Sequence, residues 1–424
     1  MRVPLSWLRD FVRLPDDLDV GDLTRRLTML GLKLDYLHRL GDDITGPLVV
    51  GRVTAFESET HSNGKTIRWC QVDVGEPEPR GVVCGADNFE VDDLVVVALP
   101  GTVLPGGFEI GARKTYGHVS DGMICSAREL ELGDDHTGIM VLQPDEAKPG
   151  DDAVELLGLR DRVIELEVNP DRAYALSIRG VGRDTALAYE LPFDDPAGLE
   201  VKTGDGEPYP IRVADHDGCP VFVARVVTGF DPAAPTPRWM ARRIQLAGMR
   251  PISLAVDVAN YVMLELGQPI HTYDRDQLQG AIEVRRAGEG ERLVTLDDVD
   301  RALDTEDLLI TDDRGAIGIA GVMGGESTEV SDSTTALVIE AAHFEPVSIA
   351  RSSRRHKLIS EASRRFERGV DPQLPAAAAQ RVVDLLVHYG GGVVEDGQTT
   401  VGAAPAPPVI ELDATLAADV TGIP

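Results

Sequence analysis

The chain has 424 residues, of which 43% are hydrophobic and 26% charged, a composition typical of a globular protein of roughly two to four domains. Its 41 Lys and Arg against 71 Asp and Glu give a formal net charge of −30, which excludes a general nucleic-acid coat and limits nucleic-acid contacts to local patches. The four cysteines form no Cys-x-x-Cys pair, so neither a zinc ribbon nor a disulfide framework is indicated. Because Asp10 interrupts any signal-peptide core, we expect a cytoplasmic protein.

The first forty residues predict two short helices. Apolar residues at helical spacing follow Pro4, and they predict a helix that continues to Val12. A second helix is predicted from an N-cap at Asp19 to a left-handed residue at Gly31. This segment has too little apolar surface to fold alone.

Residues 48–143 predict a small β-barrel. Their Val-rich runs are short and are bounded by Gly, Pro, Asn and Asp, at 48–53, 69–74, 81–84 and 94–99. Closely spaced short strands are typical of small barrels. The five-stranded oligonucleotide-binding fold is one candidate among them, which the spacing alone does not select.

The rest of the chain predicts mixed α and β structure. Residues 163–168 predict a strand and 173–189 a helix, before a larger α/β block at about 211–400. In that block Thr236 is predicted to cap a helix with Pro237 in its first turn. The further elements predicted there are a helix ending at Gly267, strands at 308–311, 317–319 and 337–339, and a helix at 375–389. Residues 402–408 predict a stiff linker, and the 16 residues after it are too few for a core.

No generic catalytic or phosphate-binding motif occurs, so the candidate functional residues are individual ones. His271 is predicted in a loop just past a helix end, as either a structural or a functional histidine. Glu340 ends an apolar strand, where it either pairs with an arginine or acts as a fixed acceptor inside a pocket. The glycines between Gly318 and Gly325 indicate either a tight strand connection or a close approach to a ligand.

Two basic islands interrupt the acidic chain. Residues 351–368 contain seven Lys and Arg against two Glu. A second island contains Arg238, Arg242, Arg243 and Arg250. Each is either a solvated face or a local phosphate contact.

Three long motifs together resemble the β subunit of bacterial phenylalanyl-tRNA synthetase. They are VDVANYVMLELGQPIH at 256–271, GIAGVMGGE at 318–326 and SRRFERGVDP at 363–372. Shorter matches at 82–86 and 121–126 support the barrel, and the resemblance covers nearly all of the chain in order.

The resemblance implies a multidomain α+β fold corresponding to the N-terminal half of this family. A small α+β domain would be split between 1–39 and 151–195, with a tRNA-binding oligonucleotide-fold barrel inserted at 40–150. Residues 211–400 would form an α/β editing domain of the B3/B4 type, and 409–424 would begin a truncated DNA-binding-like domain.

The function that the resemblance implies is tRNA binding and editing, the hydrolysis of tyrosine wrongly esterified to the tRNA for phenylalanine. Aminoacylation would be carried by the α subunit, in an α2β2 assembly of the full-length family. ATP and magnesium are expected for the whole synthetase, with neither a cofactor nor a metal bound by this chain, and no membrane is expected as a partner.

The resemblance also assigns site residues. Glu340 would accept the hydrogen bond of the phenol, His271 would hold the terminal adenosine or the ester, and Ser360, where the family usually has threonine, would place a water. The residues expected to line the substrate pocket are Asn260, Gly324 and Ala362. The residues expected to contact tRNA, from the first basic island, are Arg354, Arg355, Arg364 and Arg365.

Three positions depart from the family pattern. Ala259 replaces a common threonine, Leu254 a common asparagine, and Ser62 a usual proline. Because Ala259 lies near the expected pocket, the alternative is a non-catalytic tRNA-binding and assembly module with an inactive pocket. An unrelated hydrolase using His271 and an acid is the third hypothesis.

Overall fold

The computed structural model describes residues 1–133, 137–202 and 207–423, without the side chain of Asp396. The chain forms two compact units, Met1–Pro196 with Pro235–Glu265, and Ala197–Ala234 with Leu266–Pro424. Residues 235–265, which the predicted 211–400 block includes, therefore group with the first unit. Among the described residues, no helix is long and apolar enough to cross a membrane.

A three-stranded antiparallel sheet in the first unit places Asp161–Glu167 between Arg2–Pro4 and Lys33–Leu40. Its helices are Leu5–Leu8, Val20–Met29, Ala153–Leu156 and Ile178–Tyr189, with a 3₁₀ turn at Pro170–Ala175. The Asp19 carboxylate accepts the Gly21 N–H at 2.8 Å and Gly31 has φ +93°, which confirms the predicted helix ends. The predicted opening helix is wrong beyond Leu8, because Val12 instead forms a β-bridge with Phe193.

The barrel is a six-stranded antiparallel sheet that closes nearly completely. Its strands are Leu48–Thr60, Thr66–Asp73, Arg80–Cys84, Leu94–Ala98, Met123–Ile124 and Val141–Leu142. Leu94–Ala98 pairs with Leu48–Thr60 on one edge and with both two-residue strands on the other. All five of its side chains are buried, which explains its unbroken apolar sequence. Two short hairpins complete this region, Val103–Leu104 with Phe108–Glu109, and Arg113–Thr115 with His118–Ser120.

Two further helices, Arg238–Leu246 and Leu254–Leu266, follow in the chain. The predicted cap at Thr236 is wrong, because its hydroxyl donates to the Asp257 carboxylate at 2.6 Å and Pro237 takes the N-cap position. Gly267 has φ +85°, which fits the predicted end of the second helix.

The second unit contains two sheets. The antiparallel four-stranded sheet has the order Ile270–Asp274, Ala336–His343, Val221–Thr228 and Val393–Gly402. The five-stranded sheet has the order Ile211–Val213, Ile282–Arg286, Leu308–Asp312, Gly315–Ile319 and Met323–Gly324, with its first pair parallel. A separate hairpin joins Arg292–Val294 and Asp300–Ala302.

A shared core lies between these two sheets. Phe222 and Val338 of the four-stranded sheet belong to the same buried cluster as Ile310 of the five-stranded sheet. The opposite face of the four-stranded sheet packs against helix Pro375–Gly390. The remaining helical elements are Arg275–Gln277, Glu326–Thr328, Pro346–His356, Glu361–Phe366 and, after the proline-rich segment, Leu416–Thr421.

Candidate active site

The four-stranded sheet places two predicted site residues side by side. In the antiparallel pairing of Ile270–Asp274 with Ala336–His343, His271 lies directly opposite Glu340. Directly opposed residues project from the same face of a sheet. The predicted loop position of His271 is wrong, because the strand begins immediately after Pro269 with alternating β-branched and aromatic residues.

Glu340 is a buried acid without a cationic partner. Its exposed fraction is 7%, and it forms no ion pair with any residue that the structure describes. The alternative in which Glu340 pairs with an arginine is therefore wrong for the described residues. Instead, its Oε2 accepts a hydrogen bond from the Tyr273 hydroxyl. Burial raises the pKa of the Glu340 carboxyl to about 7, and the donated hydrogen bond opposes part of this rise.

The His271 imidazole is uncharged near neutral pH. Burial lowers its pKa to about 4, because the surrounding protein solvates an imidazolium poorly. Its ring meets the Tyr273 ring edge-on, with 4.5 Å between the centroids and 78° between the planes. His271 can therefore donate or accept a hydrogen bond, but it does not supply a positive charge at pH 7.

The glycine-rich segment is a tight strand connection beside His271. Gly318 pairs with Gly324 across the two strands, and Gly321 has φ +65° in the turn between them. A Cβ on Gly324 would lie 2.5 Å from the His271 Cε1 and 2.8 Å from its Nε2. Because Cβ atoms do not come that close to a ring, Gly324 leaves room for the imidazole. The structure confirms the tight strand connection, and the close approach of this backbone to a ligand stays a prediction.

Ser360 caps helix Glu361–Phe366 and ties it to the glycine turn. Its hydroxyl accepts the Ser363 N–H at 3.0 Å and donates to the Val322 carbonyl at 3.0 Å. Its single O–H is thus already engaged, while lone pairs remain on the oxygen. Ala362, on the same helix, packs against the core of the unit. The Val322 N–H donates to the Ile319 carbonyl and the Gly325 N–H to the Ile317 carbonyl, so neither is available to a reaction intermediate.

The assigned arginines differ in their availability. Arg354 is exposed and forms no ion pair among the described residues. Arg355 pairs with Asp304 at 3.7 Å and Glu306 at 2.9 Å, and it also contacts the buried Asp307. The basic island is thus partly neutralised by acids of its own unit.

Arg364 and Arg365 both bind the carboxylate of Glu361, each at 2.8 Å. Arg365 is only 2% exposed, and burial lowers the pKa of its guanidinium. Arg365 therefore forms a buried ion pair within helix Glu361–Phe366. A contact of its guanidinium with RNA stays a prediction.

Asn260 lies in the first unit, on helix Leu254–Leu266, where it is partly buried. Its neighbour Ala259 is buried. The assignment of Asn260 to a substrate pocket stays a prediction.

The barrel carries a separate groove that the sequence analysis missed. A cavity of about 610 Å³ lies beside strand Thr66–Asp73 and the hairpin that begins at Arg113. Among its lining residues, Lys65 and Arg113 are basic, and Phe108 is aromatic with an exposed fraction of 55%. The signal in the sequence is the run Arg-Lys-Thr-Tyr at 113–116, which places two basic residues close to an aromatic one. Such pairing suits stacked bases and a phosphate backbone.

Within the described parts of the chain, no group of three or more His, Cys, Asp or Glu side chains is arranged to hold a metal ion.

Comparison with known proteins adds two family models. Residues 48–152 match a putative tRNA-binding domain. Residues 218–391 match the B3/4 domain. The first segment contains the barrel, and the second contains His271 and Glu340.

Full-length relatives match both segments together. The chain is 55% identical over its whole length to a phenylalanine–tRNA ligase beta subunit from Streptomyces avermitilis, of which it covers 52%. It is also 55% identical, over 97% of its length, to the beta subunit from Thermobifida fusca, of which it covers 50%. The chain therefore spans about half the length of these curated relatives. Among solved structures, an N-terminal fragment of the Pyrococcus horikoshii phenylalanyl-tRNA synthetase beta subunit aligns with 62% of the chain at 15% identity and a TM-score of 0.29.

Proposed function

Because this chain belongs to the family of phenylalanine–tRNA ligase beta subunits, we propose that its second unit edits mischarged tRNA. The reaction is hydrolysis of tyrosine wrongly esterified to the tRNA for phenylalanine. The barrel and its groove hold part of that tRNA. The −30 charge of the chain restricts this contact to basic patches such as Lys65 and Arg113.

The observation that carries this proposal is the buried, cation-free carboxylate of Glu340. Tyrosine and phenylalanine differ by one hydroxyl, and an apolar pocket rejects an added hydroxyl only weakly. A pocket that must donate to or accept from that hydroxyl discriminates by roughly 10⁴-fold, because the smaller substrate leaves a buried polar group unpaired. Glu340 retains Oε1 as such an acceptor, since Tyr273 binds Oε2.

The chemistry at this site is hydrolysis of an activated ester. Water adds to the ester carbonyl, the bond to the ribose oxygen breaks, and that oxygen leaves as a hydroxyl after taking a proton. Positioning contributes more than a strong base in such a reaction. An uncharged His271 is suited to hydrogen-bond the water or the terminal ribose, and Gly324 leaves room for the imidazole.

For the whole ligase, we propose partners that match the family. The α subunit carries aminoacylation with ATP and magnesium, and two α and two β chains assemble. The half of the beta subunit represented here contributes tRNA binding and editing.

The test is deacylation of tyrosyl-tRNA and phenylalanyl-tRNA, both made on the tRNA for phenylalanine. Glu340→Ala should hydrolyse the two substrates at similar rates, and His271→Ala should lose turnover. Glu289→Ala is the matched control, because Glu289 is an exposed carboxylate of the same unit. Equal hydrolysis of both substrates by the unmutated chain would contradict the proposal.

The second candidate is a non-catalytic tRNA-binding and assembly module. The engagement of the Ser360 O–H by the Val322 carbonyl favours it, because that proton is not free to orient a water. Retention of mischarged tRNA in a filter-binding assay, without any turnover, would support this alternative.

A further inference from the structure

We propose that Tyr273 is a positioning residue of the editing pocket, whose phenol holds one carboxylate oxygen of Glu340 and leaves the other to recognise the phenol of the substrate. This inference rests on the proposed function. Tyr273 is not among the predicted site residues. The evidence for its role is the geometry of the four-stranded sheet.

Strand register brings the two side chains together. Tyr273 pairs with Val338, and Glu340 is two residues further along the same strand, so Tyr273 and Glu340 are diagonal neighbours on one face. Long aromatic side chains reach across such a diagonal. The Tyr273 hydroxyl donates to Glu340 Oε2, and both residues are buried.

The Tyr273 ring is itself fixed in place. It is 1% exposed and belongs to the core between the two sheets. It also makes a T-shaped contact with the His271 ring, with 4.5 Å between the centroids. A rigid donor of this kind restricts rotation of the Glu340 carboxylate.

The hydrogen bond also favours the ionised form of Glu340. Two other titratable groups of the described residues lie on this side of Glu340, His271 on the neighbouring strand and Cys219 just before Val221–Thr228. In the described chain, the facing five-stranded sheet contributes apolar side chains to the core. Without the Tyr273 hydroxyl, Glu340 should therefore remain protonated to a higher pH. A neutral carboxyl accepts a phenol more weakly than a carboxylate does.

The experiment compares Tyr273→Phe with the unmutated chain. Rates of deacylation of tyrosyl- and phenylalanyl-tRNA are measured between pH 5.5 and 8.5. We expect the preference for tyrosyl-tRNA to fall about tenfold at pH 7. We also expect the pH at which that preference is half-maximal to rise, while hydrolysis of phenylalanyl-tRNA is unchanged. Tyr209→Phe is the matched control, because it removes a phenol that donates to a backbone carbonyl, that of Gly280, at 3.0 Å.

A double-mutant cycle separates positioning from general packing. In a Glu340→Gln background, Tyr273→Phe should have no further effect on substrate preference, because the group through which it acts is gone. Additive effects, or an unchanged preference and pH midpoint in Tyr273→Phe, would overturn the inference.

A measurement without tRNA keeps the two proposals apart. If the unmutated chain does not hydrolyse tyrosyl-tRNA, the proposed function fails. The contact is then tested by NMR titration of the carboxyl carbon of Glu340. A higher titration midpoint in Tyr273→Phe supports the positioning contact, and an unchanged midpoint overturns it.

Discussion

Replacing Glu340 with glutamine should change how the stability of the second unit depends on pH. In the folded chain the pKa of the carboxyl is about 7, against the ordinary value of 4.5. The folded state therefore prefers the protonated acid more strongly than the unfolded state does. The stabilisation from this group is complete below pH 4.5 and is lost as the pH rises through about 7. Glutamine does not titrate, so this dependence should disappear.

The size of the effect follows from the same two values. A tenfold change in an acid equilibrium corresponds to about 1.4 kcal/mol. A rise from 4.5 to about 7 therefore corresponds to about 3 kcal/mol of unfolding free energy that the unmutated chain loses relative to the variant. Because Glu340 is only 7% exposed, solvent does little to screen this effect.

The assay is native-state hydrogen exchange of the amides in strand Ala336–His343, followed in low urea between pH 4.5 and 8. This readout reports on the second unit and does not require the two units to unfold together. The other titrating groups are common to both proteins, so the difference between the two stabilities isolates Glu340. Glu289→Gln, which alters an exposed carboxylate, should give a difference that is flat with pH.

The reasoning is refuted if the difference between Glu340→Gln and the unmutated chain is constant across this range. A difference of the opposite sign would mean that the folded protein stabilises the charged carboxylate, as an ion pair would. The predicted sign depends on the finding that, in the described chain, Tyr273 is the hydrogen-bond partner of Glu340 and no cation pairs with it.

Three further changes test other parts of the structure. Gly324→Ala should displace His271 and lower kcat/KM for tyrosyl-tRNA deacylation at least tenfold. Gly318→Ala is the control and should not lower it, because its Cβ would meet nothing closer than 3.6 Å. Equal rates for the two variants would contradict this prediction. If bases stack in the barrel groove, Phe108→Ala should weaken binding of the tRNA, measured by filter binding, by about 1 kcal/mol or more. Unchanged affinity would mean that the tRNA binds elsewhere. Asp307→Ala should destabilise the second unit by about 3 kcal/mol in urea unfolding, because Arg355 and His356 lose a buried partner. A loss below about 1 kcal/mol would show that these contacts are dispensable.

The sequence patterns that predicted structure well were local ones. The Val-rich runs of the barrel are strands, and the helix from Asp19 to Gly31 begins and ends as predicted. The family resemblance is also confirmed, by a relative that matches the whole chain at 55% identity. Each of these signals lies within a few consecutive residues or in a motif read directly.

The site depended on information that is not local. The relevance of Tyr273 follows only from its diagonal position relative to Glu340. The two residues are 67 apart in the chain, and the pairing of their strands brings them into hydrogen-bond contact. Alternation along Ile-His-Thr-Tyr could have placed His271 and Tyr273 on one face, had the segment been recognised as a strand. The partner strand, however, could not be identified from periodicity.

The basic island shows the same limit for charge. Counting residues predicted either a solvated face or a local phosphate contact, and sequence spacing does not show which acids fold back onto each arginine. Glu361 binds two of the four assigned guanidinium groups, and one of these, Arg365, is buried. Arg354 is the member of the four that the structure leaves exposed without an ion pair among the described residues.

Selectivity and stability are opposed at Glu340 for one physical reason. An exposed carboxylate is satisfied by water whether or not the substrate carries a hydroxyl, so it discriminates little. Under the proposed function, burial removes that water and makes the missing hydroxyl of phenylalanine costly. The same burial raises the pKa of Glu340 and destabilises the folded chain above neutral pH. The Tyr273 hydroxyl offsets part of this cost by donating a hydrogen bond to Glu340. It binds only one of the two carboxylate oxygens, so the other stays available to the substrate. A variant that stabilises the second unit by neutralising Glu340 should therefore lose its preference for tyrosyl-tRNA, and Glu340→Gln tests both consequences in one protein.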